Sequence, residues 1–232
     1  TELIEAEIPE EYLPENNLNQ IKKASKRAKN IIRQLLLFSR KDNNAYKIPC
    51  EILSSVREAL RLISPTTPAF IEIRDSIPPG LPPVKIDASE IHQVIVNLCK
   101  NAVDAMEKTG GTVTVSLENV VLSGQRPCFD VNLSEGEFLK LTVSDNGPGI
   151  PPEDQERIFD PYFTTKPNDK GSGLGLSIVL GIVESIRGGV KIESEPGAGT
   201  TFEVYLPVSE YAPEKPETEN NKDLPAGNEN LL

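Results

Sequence analysis

Asp145 to Gly175 reads DNGPGIPPEDQERIFDPYFTTKPNDKGSGLG, a stretch framed by two glycine-rich loops, Asp145-Asn-Gly147-Pro-Gly149 and Gly171-Ser-Gly173-Leu-Gly175. Glycine at alternate positions suits a backbone that takes positive φ and passes close to a ligand. The second loop runs straight into Leu174, Leu176, Ile178, Val179, Ile182, Val183 and Ile186, whose spacing predicts a helix. A glycine loop feeding a helix N-terminus presents unpaired N–H groups and the positive end of a dipole, which suits phosphate. The stretch therefore predicts a phosphate-bearing ligand held between two loops. It is not a P-loop, because no G-x-x-x-x-G-K-[ST] occurs, and its glycines do not open a βαβ unit with an acid about 20 residues on.

Outward from this stretch, the elements alternate between strand and helix. Upstream, Phe138 to Ser144 alternates as a strand that delivers Asp145 at its end, and Thr112 to Leu122 reads as another. Between them lies a polar loop with Gly124, Pro127 and Gly136. Asp87 or Ser89 caps a long helix, roughly Ser89 to Lys108, which Gly110 and Gly111 stop. Val84-Lys-Ile predicts a short strand behind the proline-rich IPPGLPP loop, and Phe70 to Arg74 a further strand. An amphipathic helix covers about Glu51 to Ile63, ended by Pro65 and Pro68, and Tyr46 to Pro49 could pair as a short strand. Downstream, Val190 to Ser194 and Thr200 to Leu206 predict a closing hairpin across EPGAG.

The flanks differ in character. From Leu18 to Arg40, Ile21, Ala24, Ala28, Ile31, Leu35 and Phe38 keep a three-four spacing, while Lys22, Lys23, Lys26, Arg27, Lys29 and Arg33 fill the other faces. Such a seam must be buried, and a helical bundle shared between two copies is the favoured expectation. Beyond Pro207 the chain is acidic, rich in proline and asparagine, and reads as a disordered linker.

Bulk composition narrows the partners. The 232 residues carry a formal charge of -11, which disfavours nucleic acid or an anionic membrane as partner and requires local positive charge or a divalent cation wherever a polyanion binds. No apolar run approaches the roughly 20 residues of a bilayer span, and the acidic N-terminus does not resemble a signal peptide. Cys50, Cys99 and Cys128 are widely spaced and odd in number, which fits reduced thiols, a cytoplasmic location and small buried side chains.

On the helix over 89–108, Glu90, Asn97, Asn101 and Asp104 recur three, four or seven residues apart and share one face, whereas Ile91, Val94, Ile95, Leu98, Ala102 and Ala105 face elsewhere. Carboxamide and carboxylate oxygens suit Mg²⁺, which keeps several waters and takes one or two protein ligands beside phosphates. In order and spacing, NLCKNAVDAM, DNGPGI, FDPYFTTK, GSGLGLSIV and GAGTTFEVYLP resemble the asparagine box, first glycine box, phenylalanine box, second glycine box and final glycine strand of sensor histidine kinases. That ATP-binding fold is shared with DNA gyrase, mismatch-repair ATPases and a heat-shock chaperone.

The resemblance implies an α+β fold: a two-layer α/β sandwich, its mixed sheet covered by helices on one face, preceded by a long helix of a dimerisation bundle. It divides the chain into a partial dimerisation and phosphotransfer region (1–45), an ATP-binding domain (46–208) and a linker (209–232). It implies ATP and Mg²⁺ as ligands, with Asn101 on the metal, Asn97 supporting the phosphates and Lys166 reaching the terminal phosphates. Asp145 would accept from the adenine amino group, with Gly147, Gly149 and Ile150 beside the purine and Thr201 or Thr200 adding a contact. Lys170, Gly171, Ser172, Gly173, Leu174, Gly175 and Leu176 would cradle the triphosphate. Asp104 belongs to the same nucleotide-binding set, and Phe159 and Phe163 would anchor the lid between the boxes.

One position departs from the ATPases of this fold. They place a glutamate, the general base, four residues before the metal asparagine; here Asn97 stands there and takes no proton at neutral pH. Bound ATP is then expected to wait for an external nucleophile. In histidine kinases that nucleophile is an imidazole on the first hairpin helix, followed by an acid. The one histidine, His92, precedes Gln93 inside the nucleotide-binding helix and reads as a surface histidine near Glu90. The segment over 18–40 resembles the second hairpin helix, TELIEAEIPEE the tail of the first, and LPAGNENLL the approach to a receiver domain. These imply an excised kinase core, unable to phosphorylate itself, from a longer, perhaps hybrid sensor that dimerises and passes phosphate to a response regulator. A nucleotide-binding pseudokinase and a serine kinase of the same fold are the alternatives.

Overall fold

The computed structural model describes residues 52–166 and 172–209. The expected strand over Tyr46–Pro49, the helix over 18–40, the linker beyond 209, and Lys170 and Gly171 lie outside the described residues.

Helix α1 (Ile52–Ile63) buries Ile52, Val56, Ala59, Leu60 and Ile63, a three-four stripe that turns one face inward. It ends where Pro65 enters a single 3₁₀ turn, Ser64–Thr66. Strand β1 (Ile71–Ser76) follows, and then helix α2 (Ala88–Ala105). Asp87 caps α2: its carboxylate accepts the Ser89 N–H at 2.7 Å, while the Glu90 carboxylate accepts the Asp87 N–H at 3.4 Å. Glu90 therefore serves the cap rather than the polar face expected of it. The helix closes at Ala105, not Lys108, through a turn in which the Gly110 N–H (φ +69°) donates to the Met106 carbonyl. Ala105, expected among the inward set, is exposed; Cys99 is buried in that set instead.

Strands β2 (Gly111–Leu122), β5 (Gly136–Asp145), β6 (Gly189–Glu195) and β7 (Gly199–Pro207) complete a five-stranded sheet in the order β1-β2-β5-β7-β6. β1 runs parallel to β2 and every other pair is antiparallel, so the sheet is mixed. Period-two alternation assigns its faces. Val113, Val115, Leu117, Leu139, Leu141, Val143, Val190, Phe202, Val204 and Leu206 are buried in one core with α1, α2 and helix α4 (Gly175–Ser185). Each fully buried aliphatic side chain of this kind contributes about 1.5–3 kcal/mol. The opposite face is polar: Lys140 bridges Glu118 at 2.6 Å and Glu203 at 3.4 Å, and the Tyr205 hydroxyl donates to Glu203 at 2.8 Å.

Three further features differ from the expectations. Val84-Lys-Ile forms no strand; a single bridge, Val84 to Val208, is what remains. The polar loop before β5 contains a hairpin, β3 (Arg126–Cys128) and β4 (Val131–Leu133). It covers Leu122, Phe138 and Tyr205 on the polar face and caps the outer edge of the sheet, where the Phe129 N–H donates to the Val190 carbonyl at 2.7 Å. A short helix α3 (Pro152–Gln155) follows the first glycine loop, started by a proline in its first turn with Glu153 and Asp154 near its positive end.

Candidate functional site

Asp145 ends β5 on the helix-covered side of the sheet, opposite Thr200. Its carboxylate accepts the Gly147 N–H at 2.9 Å and is also hydrogen-bonded by the Thr200 backbone. Burial pushes its carboxyl above the usual carboxylate range, and the two backbone donors recover part of that shift. A half-buried carboxylate with lone pairs to spare can accept a further N–H donor.

The first glycine loop is held from behind. The Ile150 N–H donates to Ser194 Oγ at 2.8 Å, Ser194 Oγ lies 3.0 Å from both the Gly199 carbonyl and Thr200 Oγ1, and the Gln155 amide donates to the Ile150 and Ser194 carbonyls. A side chain at Gly149 (φ +73°) would collide with the Glu195 carbonyl, and one at Gly147 would meet Met106 Cγ at 2.9 Å. Both glycines thus meet packing needs at the loop.

The second glycine loop is braced in the same way. The Tyr162 N–H donates to the Gly173 carbonyl at 2.8 Å, and a side chain at Gly173 (φ +63°) would collide with the Tyr162 and Phe163 backbone. Phe159 is buried between Phe129 (ring centroids 4.4 Å apart) and Phe202 (6.4 Å). Arg157 stacks over Phe163 at 4.6 Å. Leu174 is buried, Leu176 and Ile150 pack against the core, and Ser172 is exposed.

Helix α4 starts at Gly175 with no side-chain cap, in contrast to the doubly capped α2. Against its first residue lies Asn97, whose Oδ1 is 3.5 Å from where a Gly175 Cβ would stand. The Asn97 Nδ2 is buried without a partner, which among the described residues holds for no other side-chain nitrogen or oxygen. A buried donor with nothing to bind carries a desolvation penalty, and here it sits beside an open helix N-terminus. One turn on, Asn101 is half-buried, and Asp104 holds Lys166 at 2.8 Å. Among the described residues no cluster of three His, Cys, Asp or Glu side chains could hold a metal. The donor set suits a hard cation carried mostly by phosphates and water, and the Asn101 carboxamide oxygen is of the kind such a cation can take from a protein.

Of the two threonines weighed on the last strand, register separates the roles. Thr200 is buried beside Asp145, whereas Thr201 lies on the sheet's other face, 2.8 Å from Ser144 Oγ. Thr200, rather than Thr201, is thus the one that shares a face of the sheet with Asp145. Ser194 and Gln155 were not anticipated; a serine at a core-facing position of an otherwise Val-Ile strand was the signal for the former. A groove of about 450 Å³ lined by Ser76, Ile77, Pro78, Ser116, Leu117 and Glu118 shares no residue with this site.

Residues 86–210 match the model of the family described as histidine kinase-, DNA gyrase B- and HSP90-like ATPase. The chain belongs to this family. Within it, the chain is similar to sensor kinase CckA of Brucella abortus (strain 2308), 36% identical over 191 residues covering 82% of this chain and 20% of that protein. It is also similar to sensor histidine kinase ZraS of Escherichia coli (strain K12), 34% identical over 156 residues, 66% of this chain and 30% of that one. The chain thus spans a minor part of these relatives' length. Among solved structures, full-length ShkA in complex with AMPPNP superposes with TM-score 0.62 and 25% identity over 84% of this chain and 39% of its own. The mycobacterial sensor histidine kinase MprB gives 0.53 and 25% identity over 69% of this chain and 96% of its own. The mixed sheet with its helix layer is therefore a histidine kinase ATP-binding catalytic core. No described helix is long and apolar enough to cross a membrane.

Proposed function

We propose that this core transfers the γ-phosphoryl group of Mg-ATP to a histidine outside the chain, as part of a cytoplasmic two-component sensor kinase that works as a dimer and feeds a response regulator. The observation that carries the reading is the buried, unpartnered Nδ2 of Asn97, whose side chain packs against the uncapped start of α4. Asp145 selects adenine by accepting from its amino group, and Thr200 stands beside it. The α4 amides, with Gly173 and Gly175, meet the phosphates; Asn97 donates to them, and Lys166 reaches the terminal one. Asn101 would hold Mg²⁺, which supplies charge neutralisation across the phosphate oxygens.

Asn97 stands where a hydrolase of this fold needs a carboxylate base, so the site binds and orients ATP without activating water. An incoming imidazole nitrogen forms the bond to Pγ, the Pγ–O bond to ADP breaks, and the imidazole proton leaves to solvent. His92 is not that nucleophile: nine residues from Asn101, it lies on roughly the opposite side of α2.

The test is equilibrium titration of the chain with a non-hydrolysable ATP analogue, with and without Mg²⁺, followed by radiolabelled transfer from ATP to a separately supplied histidine hairpin. Binding that Mg²⁺ strengthens and an acid-labile phosphoprotein are expected. Absence of binding sinks the reading, and an acid-stable product points to a serine acceptor instead.

A further inference from the structure

Asp104 lies one turn beyond Asn101 on α2, and its carboxylate holds the Lys166 ammonium at 2.8 Å across 62 residues of chain. Both side chains are about a third exposed, 31% and 30%, and a pair this wet contributes little to stability. Its bearing on a polyphosphate is larger. While the pair stands, an arriving phosphate meets a carboxylate and an ammonium whose charges cancel; once it opens, the ammonium is free to pair with the phosphate. The Lys166 backbone is meanwhile held close by: its N–H donates to Thr164 Oγ1 at 3.2 Å, and the preceding residues are pinned by Tyr162 on Gly173 and Arg157 over Phe163. Rotation within the lysine side chain is then enough to change its partner.

We infer that Asp104 and the terminal phosphate of the nucleotide exchange the Lys166 ammonium: Asp104 holds it in the nucleotide-free chain and gives it up when a triphosphate enters. The inference rests on the nucleotide-binding reading above and makes Asp104 a positioning residue. Its charge sets how steeply affinity depends on the number of phosphates and leaves adenine recognition alone.

The exchange is tested by equilibrium binding of AMP and a non-hydrolysable ATP analogue, both with Mg²⁺, to the native chain, Asp104→Asn, Lys166→Met, the double variant and Asp104→Glu. Asp104→Asn should tighten the analogue roughly threefold to tenfold by ending the competition and leave AMP unchanged. Lys166→Met should weaken the analogue, the double variant should match Lys166→Met, and Asp104→Glu, which keeps the pair, should match the native chain. An Asp104→Asn variant that binds the analogue no better, or gains equally when Lys166 is already methionine, overturns the exchange. A native chain that binds neither nucleotide overturns the nucleotide reading itself, a result distinct from either.

Discussion

Asp145 and Thr200 stand opposite each other across β5 and β7, and the Thr200 backbone hydrogen-bonds the Asp145 carboxylate. Burial raises the pKa of this carboxylate in the folded chain. A raised folded-state pKa means the folded chain holds the proton more tightly than the unfolded one. That contribution to stability is complete below the unfolded value, about 3.9, and is lost as pH rises through the folded value. At neutral pH ionised Asp145 is thus a burden on the empty domain. Asp145→Asn, which still accepts the two N–H groups, should raise the melting temperature at pH 7, with the gain vanishing below about pH 4. Adenine nucleotide affinity should fall in the same variant, and calorimetry reads both effects.

Asn101→Ala removes the one protein oxygen assigned to the cation. Titrations with and without Mg²⁺ should become superimposable, while affinity for metal-free nucleotide stays near native. Unchanged Mg²⁺ dependence would place the cation elsewhere.

Gly173→Ala forces a side chain into the Tyr162–Phe163 backbone at φ +63°, so it combines a steric collision with the strain of about 1–3 kcal/mol for a left-handed residue. Gly197→Ala, at φ +83° with open space around it, carries the strain alone. Urea denaturation should rank Gly173→Ala as the more damaging, and only that variant should lose nucleotide affinity.

Asp87→Ala deletes the α2 cap and should lower unfolding free energy by about 0.5–2 kcal/mol. The cap sits at the far end of the helix from Asn101, so nucleotide affinity should change little.

Burial pushes the Cys99 thiol up to about 12. Its thiolate is therefore scarce at pH 8, and native protein should resist alkylation at this residue until it unfolds. Mass spectrometry along a urea series should show Cys99 labelling rise together with loss of secondary structure.

The parts legible in the sequence were those that local pattern determines. Alternation in Thr112–Leu122 and Phe138–Ser144, the Asp87 cap and the run of apolar residues after Gly175 each announced an element. Tertiary context decided the rest. Arg126–Cys128 and Val131–Leu133 are too short and polar to read as strands, and they pair because they cover Tyr205 and the β6 edge. Val84-Lys-Ile has strand composition but meets a neighbour at one residue only. The choice between Thr200 and Thr201 needed the register with Asp145, since one step along a strand changes the face. Helix α3 was visible in principle through Pro152-Glu-Asp, a first-turn signature.

Past Pro207 the chain is stapled at the end of β7 remote from Gly199, with the Val208 N–H on the Glu137 carbonyl and the Ser209 N–H on the Pro83 carbonyl. Nine residues of strand put roughly 25–30 Å between that exit and the Asp145 end of the sheet. A fluorophore or a biosensor-chip tether attached just after Ser209 would accordingly leave the mouth of the domain unshadowed, so surface-bound and free protein should return the same dissociation constant.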